Sequence, residues 1–256
     1  VPASHPHPWN PRPMTALYDT IGRDYARLRR PDPRIAARID AALGDARTVL
    51  NVGAGAGSYE PTGRTITAVE PSAEMIAQRP PSDATVVQAS AEDLPFADGI
   101  FDAAMASLTI HHWSEKARGV MQMRRVTTGP LVFLTYDPAF RDFWLLDYFP
   151  ELATLDEGQM PAMADFETWL GNVTITPVRI PHDCTDGFLA AYWRRPTAYL
   201  DEQVRAAMSS FWKIDNVEHG LSKLKADLES GVWQDAYGNA LALNECDCGY
   251  RLVVAG

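Results

Sequence analysis

Between residues 47 and 136, short apolar runs alternate with segments of helical periodicity. T-V-L-N-V (48–52), T-I-T-A-V-E (65–70), A-T-V-V-Q-A (84–89), F-D-A-A-M-A-S (101–107) and P-L-V-F-L-T-Y (130–136) are nearly continuous in apolar character. Strands covered by helices on both faces read this way, because neither face meets water. S-A-E-M-I-A-Q (72–78) and S-E-K-A-R-G-V-M-Q-M-R-R-V (114–126) read as helices, each opening on a serine placed to cap the first free amides. This alternation predicts βαβ units with right-handed crossovers and an open, doubly wound α/β sheet. Ligands in such sheets sit at the carboxyl ends of the strands.

Beyond residue 137 the pattern changes. Phe140–Leu152 carries five aromatic residues, Phe140, Phe143, Trp144, Tyr148 and Phe149. V-T-I-T-P-V-R-I (173–180) alternates and predicts a sixth strand, and Y-R-L-V-V-A (250–255) predicts a final one. Helical stretches at about 186–195, 201–212 and 216–230 lie between them. That is too much chain for a connection inside a compact sheet, so it predicts a helical cap over the strand ends rather than an independent domain. The expected organisation is a proline-rich extension over 1–13, a core with an N-terminal helix over 14–137, cap helices and the sixth strand over 138–248, and the final strand of the core sheet over 249–256.

The first strand runs into Gly53-Ala54-Gly55-Ala56-Gly57, three glycines in strict alternation. Without a Cβ the backbone turns sharply and a ligand can approach it closely. Glu70 ends the second strand, where a carboxylate can accept hydrogen bonds from ribose hydroxyls. Loop and acid together predict an adenosine-containing ligand. A dinucleotide site requires G-x-G-x-x-G and a helix N-terminus for the pyrophosphate. Here the third glycine comes one residue early, and only Ser58–Arg64, with Pro61 and Gly63 inside it, separates the loop from the next strand. The first crossover helix is therefore expected to be shortened or absent, which disfavours NAD(P) and favours a cofactor without phosphates.

Composition narrows the partners. The 256 residues are 46% hydrophobic and 22% charged, which suits one α/β domain with an elaboration. A net charge of −10 lacks the basic field with which nucleic-acid binders displace counterions, so no nucleic-acid partner is expected. Arg23, Arg27, Arg29, Arg30 and Arg34 form one local basic cluster. Cys184, Cys246 and Cys248 are a low, odd count that fits a reducing compartment, and Cys246-Asp247-Cys248 has neither the spacing nor the second pair of a zinc site. No metal is expected. No apolar run approaches about 18 residues and no leader pattern is present, so a cytoplasmic chain without a membrane partner is expected. The proline-rich V-P-A-S-H-P-H-P-W-N-P-R-P ahead of Met14 reads as an upstream extension or expression remnant, with His5 and His7 as tail residues.

N-V-G-A-G-A-G (51–57), A-V-E-P-S (68–72), A-E-D-L-P-F (91–96) and F-D-A-A-M-A-S-L-T-I-H-H-W (101–113) occur in an order and spacing that resemble class I S-adenosylmethionine-dependent methyltransferases, specifically the small-molecule group of the ubiquinone/menaquinone-biosynthesis type. Y-D-T-I-G-R-D-Y-A-R-L-R-R-P-D-P-R-I (18–35) and P-H-D-C-T-D-G-F-L-A-A-Y-W-R-R-P-T-A-Y-L (181–200) resemble a subgroup linked to antibiotic-type metabolism. The resemblance implies a Rossmann-like, mostly parallel seven-stranded sheet with an antiparallel last strand. It implies S-adenosyl-L-methionine as cofactor, leaving as S-adenosyl-L-homocysteine. Gly53, Ala54 and Gly55 would give backbone contacts to its methionine part, with Asn51 near its amine. Glu70 would hold the ribose, and Pro71 and Met75 would line the adenine face. Ala91 and Glu92 would meet the adenine edge, and Ser107 would flank the cofactor. Tyr25 and Arg29, on the N-terminal helix, would close over it, Arg29 forking onto its carboxylate. Two residues depart from the family pattern: Asn51 and Ser90 stand where relatives often carry an acid.

Methyl transfer is an in-line displacement that needs a base only when the acceptor must lose a proton. His111 and His112 follow the fourth strand, where cofactor and acceptor meet, and histidine titrates near neutrality. Tyr136 and Asp137 end the fifth strand on the same rim and are the second pair of catalytic candidates. Trp113, Trp144, Tyr148, Tyr192 and Trp193, with Tyr18 from the N-terminal segment, are candidates to wall an apolar acceptor. A small-molecule methyltransferase, monomeric or homodimeric, is the leading expectation. An inactive cofactor-binding homologue with a regulatory or structural role is the alternative, with an RNA or protein methyltransferase behind it. The acidic charge, and S-L-T-I where an N-P-P-Y-type motif would stand, weigh against the last.

Overall fold

The computed structural model describes residues 29–256. Five parallel strands form its centre: β1 (Thr48–Val52), β2 (Thr65–Val69), β3 (Thr85–Val87), β4 (Ala103–Ser107) and β5 (Leu131–Tyr136). Two later strands extend the sheet, β6 (Val173–Pro177) at the edge and β9 (Tyr250–Ala255) between β5 and β6, antiparallel to both. The seven-stranded order is β3-β2-β1-β4-β5-β9-β6. All six residues of β5 are buried, which is why its sequence is apolar without alternation. β3, at the edge, is shorter than its sequence suggests, and Val86 is exposed.

Alternate residues of each strand feed two cores. Val49, Ile66, Ala103, Met105, Val132 and Leu134 face a cluster completed by α1 (Pro33–Ala42) and the cap. Leu50, Val52, Ala104, Ala106, Leu131 and Phe133 face α3 (Lys116–Val126) and Phe166 of α5 (Met163–Leu170). α1 begins where the buried Asp32 caps the Arg34 amide at 3.0 Å and Pro33 pre-sets the first turn. Ile35 and Ile39, one turn apart, present its buried face. The helix that the sequence starts at Ser114 starts instead at Lys116. Ser114 does not cap it, because its amide and hydroxyl both donate to Glu92, which also accepts from the Glu115 amide.

No helix forms between β1 and β2; residues 53–64 are a series of turns. On that face Tyr59, held at φ 64°, is buried beside Ile35, Ile39 and Ile66. Arg64 then ties the crossover to the end of α1, donating to the Asp40 carboxylate at 2.9 Å and to the carbonyls of Ala46, Gly44 and Asp40. Side chains thus do what a helix would have done. Of the segment Tyr18–Arg30, only Arg29 and Arg30 belong to the described residues. Those two residues precede α1 in non-helical chain, so Arg29 is not on the N-terminal helix where the sequence reading put it.

The cap is less regular than its sequence implies. The stretch expected as one helix over 201–212 divides into α6 (Glu202–Ala206) and a 3-10 turn (Ser209–Trp212), and 186–195 holds only the 3-10 turn Leu189–Tyr192. The expected sixth strand breaks after Pro177, and Ile180–Pro181 (β7) pairs instead with Glu245–Cys246 (β8). α7 (Val217–Ser230) matches expectation, while α2 (Ala73–Ala77), α4 (Glu151–Gln159) and α8 (Val232–Tyr237) complete the α-helices of the described residues. Trp144, Trp193, Tyr199 and Trp233 form its interior, with the Trp144 ring edge-on to Tyr199 and Trp233. No helix among the described residues is long and apolar enough to cross a membrane.

Arg64→Met is expected to lower stability by about 2 kcal/mol or more, because three backbone carbonyls at the end of α1 lose their donor at once. Urea denaturation checks this; an unchanged midpoint would show that the crossover is held by packing alone.

Candidate active site

The glycine loop is stitched to the end of β2. The Gly53 and Ala54 amides donate to the Val69 carbonyl at 2.8 and 3.0 Å, and the Gly55 amide donates to Glu70 Oε2 at 2.8 Å. Gly53, Gly55 and Gly57 all have positive φ, which explains the strict alternation of glycine. At Gly53 the constraint is also steric, since a Cβ there would lie 2.1 Å from Thr109 Oγ1. Glu70 is 8% exposed and also accepts from the Ser72 amide at 3.0 Å. Its position is therefore fixed by backbone on both sides.

Asn51 is buried beneath the loop, and its Nδ2 donates to Glu60 Oε1 at 3.0 Å. Glu60 in turn takes both oxygens to Arg79 Nη2 at 2.8 and 2.7 Å, while Arg79 Nη1 reaches the Gly55 carbonyl at 3.3 Å. Met75 Cε would sit 3.3 Å from a Cβ on Gly55, so Met75 and the loop share one wall. Pro71 follows Glu70 directly, and its carbonyl accepts from Gln88. Ser107 closes β4, half-buried. Ala91 packs near Gly119 and Trp113, and the Glu92 carboxylate serves the start of α3.

Thr109 joins this cleft to a second one. Leu108, at φ 54°, bends the chain after β4, and Thr109 leads into the 3-10 turn Ile110–His112. The two imidazole rings stand 3.8 Å apart at 50°. Both line a cavity with Tyr136, Asp156, Phe188 and Tyr250, into which Arg29 also projects. Tyr136 and Tyr250 are cross-strand partners at the mouth of β5 and β9. A wider concavity around Asp45, Arg47 and Pro130 lies where strands begin, away from the ends at which such sheets bind ligands.

The histidines are kept neutral. Burial pushes the His111 proton affinity well down, and the charges of Lys213, Lys116 and Arg29 push the same way. Burial likewise lowers His112 to about 3. His111 Nδ1 is enclosed and has no hydrogen-bond partner among the described residues. Burial raises the Tyr136 phenol, so it remains protonated at neutral pH. Arg29 Nε meets Asp186 at 2.7 Å, and Asp186 also accepts from Tyr59 at 2.7 Å.

The other sequence-derived candidates are engaged elsewhere. Asp137 accepts from the Ala139 amide and lies 3.6 Å from Arg251, in the turn after β5. Trp113 is packed in the core behind α3. Trp144 Nε1 donates to the Trp193 carbonyl, Trp193 Nε1 to that of Ile180, and Tyr148 to Asp227; Tyr192 lies under Arg195. All four belong to the interior of the cap or its edge, not to the cavity. Tyr18 and Tyr25 lie outside the described residues. The cavity residues that sequence reasoning missed include Asp156, Gln159, Phe188, Met208 and Tyr250. One signal was available: Asp156 falls four residues after Leu152, on the buried register of α4.

Residues 50–130 match a family model described as a methyltransferase domain. A crystal structure from Anabaena variabilis, described as a methyltransferase from an antibiotic biosynthesis pathway, is 35% identical; the match covers 90% of this chain and 99% of that one, with a TM-score of 0.82. The chain belongs to the class I S-adenosylmethionine-dependent methyltransferases. Among curated relatives of this methyltransferase is the chloroplastic 2-methyl-6-phytyl-1,4-hydroquinone methyltransferase 2 of Oryza sativa subsp. japonica, 26% identical over 96 residues. That match spans 38% of this chain and only 26% of the relative's length. The [4+2]-cyclase SpnF superposes with a TM-score of 0.54 at 15% identity, over 95% of each chain, which is a likeness of fold alone. The residues present fit the family's cofactor: the loop has glycine at alternate positions and is followed in space by the buried carboxylate of Glu70 at the end of β2, with no helix start within 53–64 for phosphate.

Because folded His112 resists protonation until about pH 3 while the unfolded chain takes up the proton near 6.5, stability is lost as pH falls below 6.5. His112→Gln is expected to remove that share, about 2 kcal/mol by pH 5. Denaturation at pH 5 and 7.5 checks it; equal pH slopes for the two proteins would show that the ring is not desolvated.

Proposed function

We propose that this methyltransferase moves the methyl group of S-adenosylmethionine to a small-molecule acceptor seated in the cavity of His111, His112 and Tyr136, in specialised, antibiotic-type metabolism. The observation that carries the reading is the junction at Thr109, where the glycine loop and the turn bearing both histidines are in contact. Cofactor cleft and cavity are thereby held at a fixed relation. The acidic charge and the half-open, partly aromatic cavity support a small neutral acceptor over nucleic acid. The hydroquinone methyltransferase and the antibiotic-pathway structure among the relatives support the same class.

In this reading Gly53, Ala54 and Gly55 present backbone to the methionine portion, with Asn51 fixing the floor of the loop through Glu60. Glu70 accepts from the ribose, Pro71 and Met75 flank the adenine, and Ala91, Glu92 and Ser107 border the remaining edge. Arg29 approaches from the N-terminal side. When bound, the cofactor supplies an already activated sulfonium methyl. The chain's own task is then to orient the acceptor and exclude water, and orientation alone contributes on the order of 7 kcal/mol. Neutral His111 and His112 serve as hydrogen-bonding walls that add no charge to the cavity. Residues 138–248 act as the cap that closes it, and residues 14–137 with 249–256 as the core. A cytoplasmic location, without nucleic-acid or membrane partners and as a monomer or homodimer, fits the same reading.

S-adenosylhomocysteine at a hundred times its Kd is expected to stabilise the protein by about 2.7 kcal/mol, read as a rise in Tm, whereas NADH has no effect. The reverse pattern would overturn the cofactor assignment. Glu70→Ala is expected to weaken S-adenosylhomocysteine about tenfold or more in calorimetric titration, since the ribose acceptor and the restraint on Gly55 go together. An unchanged Kd would remove Glu70 from the site.

A further inference from the structure

Four carboxylates are buried among the described residues: Asp32, Glu70, Asp156 and Asp186. Three are held by the scaffold. Asp32 takes the guanidinium and amide of Arg34 and the Thr185 amide. Glu70 takes the amides of Gly55 and Ser72, and Asp186 those groups of Arg29, Tyr59 and Gly187 that point at it. Asp156 differs. Its one hydrogen bond is a long one, 3.4 Å from Gln159 Nε2, and no guanidinium or ammonium of the described residues pairs with it. A buried carboxylate that the described residues leave this poorly satisfied has capacity for a further partner.

Its position says where that partner lies. Asp156 lines the cavity together with His111, His112, Tyr136 and Tyr250. Lys213 Nζ donates to Gln159 Oε1 at 3.0 Å, which turns the amide nitrogen of Gln159 toward Asp156. The groups bearing on Asp156 are Tyr136 from β5, Tyr250 from β9, Arg141 from the loop before α4, and Lys213 from the cap. Lys213, Lys116 and Arg29 also bear on His111 from the other wall.

Resting on the function proposed above, we propose that Asp156 is the proton acceptor for a phenolic or enolic hydroxyl of the methyl acceptor. As the hydroxyl oxygen's lone pair closes on the methyl carbon, its O–H bond breaks and the proton passes to a carboxylate oxygen of Asp156. The electron pair of the breaking carbon–sulfur bond remains on sulfur, so the sulfonium charge is lost and the carboxylate charge is neutralised. Three observations favour this choice. Burial raises Asp156 to about 6 while Gln159, Lys213 and Arg141 restrain the rise, so it is ionised at neutral pH yet basic enough to take a proton. The neighbouring His112, at about 3, is the weaker acceptor. The cations around the cavity favour a neutral hydroxyl that gains negative charge over an ammonium that adds positive charge.

The test uses the full chain with isotopically labelled methyl donor and the probes catechol, 1-naphthol, a hydroxynaphthoquinone and benzylamine. The wild type is expected to label the hydroxyl compounds, with kcat/KM rising through about pH 6. Asp156→Asn is expected to lose about a hundredfold or more of that rate and the acid limb with it, while binding S-adenosylhomocysteine unchanged. Lys213→Met removes a charge that lowers Asp156, so it is expected to move the limb to higher pH. Without cofactor, the Tm advantage of Asp156→Asn over wild type is expected to grow from pH 4 to 7, because the wild-type carboxyl ionises near 3.8 unfolded but only near 6 folded. Undiminished turnover and an unchanged limb in Asp156→Asn would overturn the assignment, as would a flat Tm difference. Labelling of benzylamine alone, or of no hydroxyl compound by a protein that binds S-adenosylhomocysteine, would overturn the acceptor class. Failure to bind S-adenosylhomocysteine at all would instead overturn the function on which the proposal rests.

Discussion

Asp186 is the constraint on which the rest of the site depends. Its carboxylate is 1% exposed and accepts from Arg29 Nε, the Tyr59 hydroxyl and the Gly187 amide, each at 2.7 Å. A buried charge is tolerated only when it is paired and its lone pairs are occupied, and here the partners come from three parts of the chain. Arg29 belongs to the segment before α1, Tyr59 to the crossover after the glycine loop, and Gly187 to the cap. Removing Arg29 leaves a buried charge uncompensated, and removing the Tyr59 hydroxyl leaves a buried carboxylate oxygen short of a donor. The loop cannot shift without disturbing the cap, nor the cap without disturbing the loop. Asp32 repeats the device nearby: burial raises its carboxyl, but the Arg34 guanidinium and the Thr185 amide bring it down to about 2. That ties the start of α1 to the same cap segment.

This arrangement accounts for the missing helix. In a doubly wound sheet a crossover helix normally covers its face with apolar side chains and presents an N-terminus to the ligand. Here, among the described residues, α1 and the Tyr59 side chain pack on that face, and Asp186 holds that side chain. The backbone of Gly53–Gly57 is then free to be shaped by the ligand's needs rather than by a helix start. Its amides are directed to the Val69 carbonyl and the Glu70 carboxylate, not gathered into a phosphate nest.

The central strands were legible because β1, β4 and β5 are short apolar runs closed by glycine or polar residues, a signal local to a few residues. The place of the glycine loop and of Glu70 was legible for the same reason: each directly follows one strand. The cap was not. Much of it is 3-10 turn, whose three-residue repeat produces no 3.6-residue apolar stripe, and its tryptophans look alike in sequence whether they wall a ligand or pack on one another. The cavity beside His111 and His112 was the least legible part. Leu108, Asp156, Phe188, Met208 and Tyr250 converge from five separate stretches of chain, and L-D-E-G-Q around Asp156 reads as a solvated helix face. Only the tertiary packing that buries Asp156 gives it chemistry.

Fold and chemistry separate at this point. The same sheet and cap superpose on a chain described as a cyclase at 15% identity, so the architecture by itself selects no reaction. In the function proposed above, selection rests on the balance of charge inside the cavity. Burial and nearby cations keep His111 and His112 neutral, and the Tyr136 phenol stays protonated because burial raises it. Asp156 is left as the one buried acid of the cavity wall, with Lys213 one amide away. A cationic acceptor would enter against Lys213 and Lys116 and gain only Asp156; an anionic one would face Asp156 at close quarters. A neutral acceptor meets neither penalty on entry and finds the surrounding cations favourable as charge develops on its reacting atom.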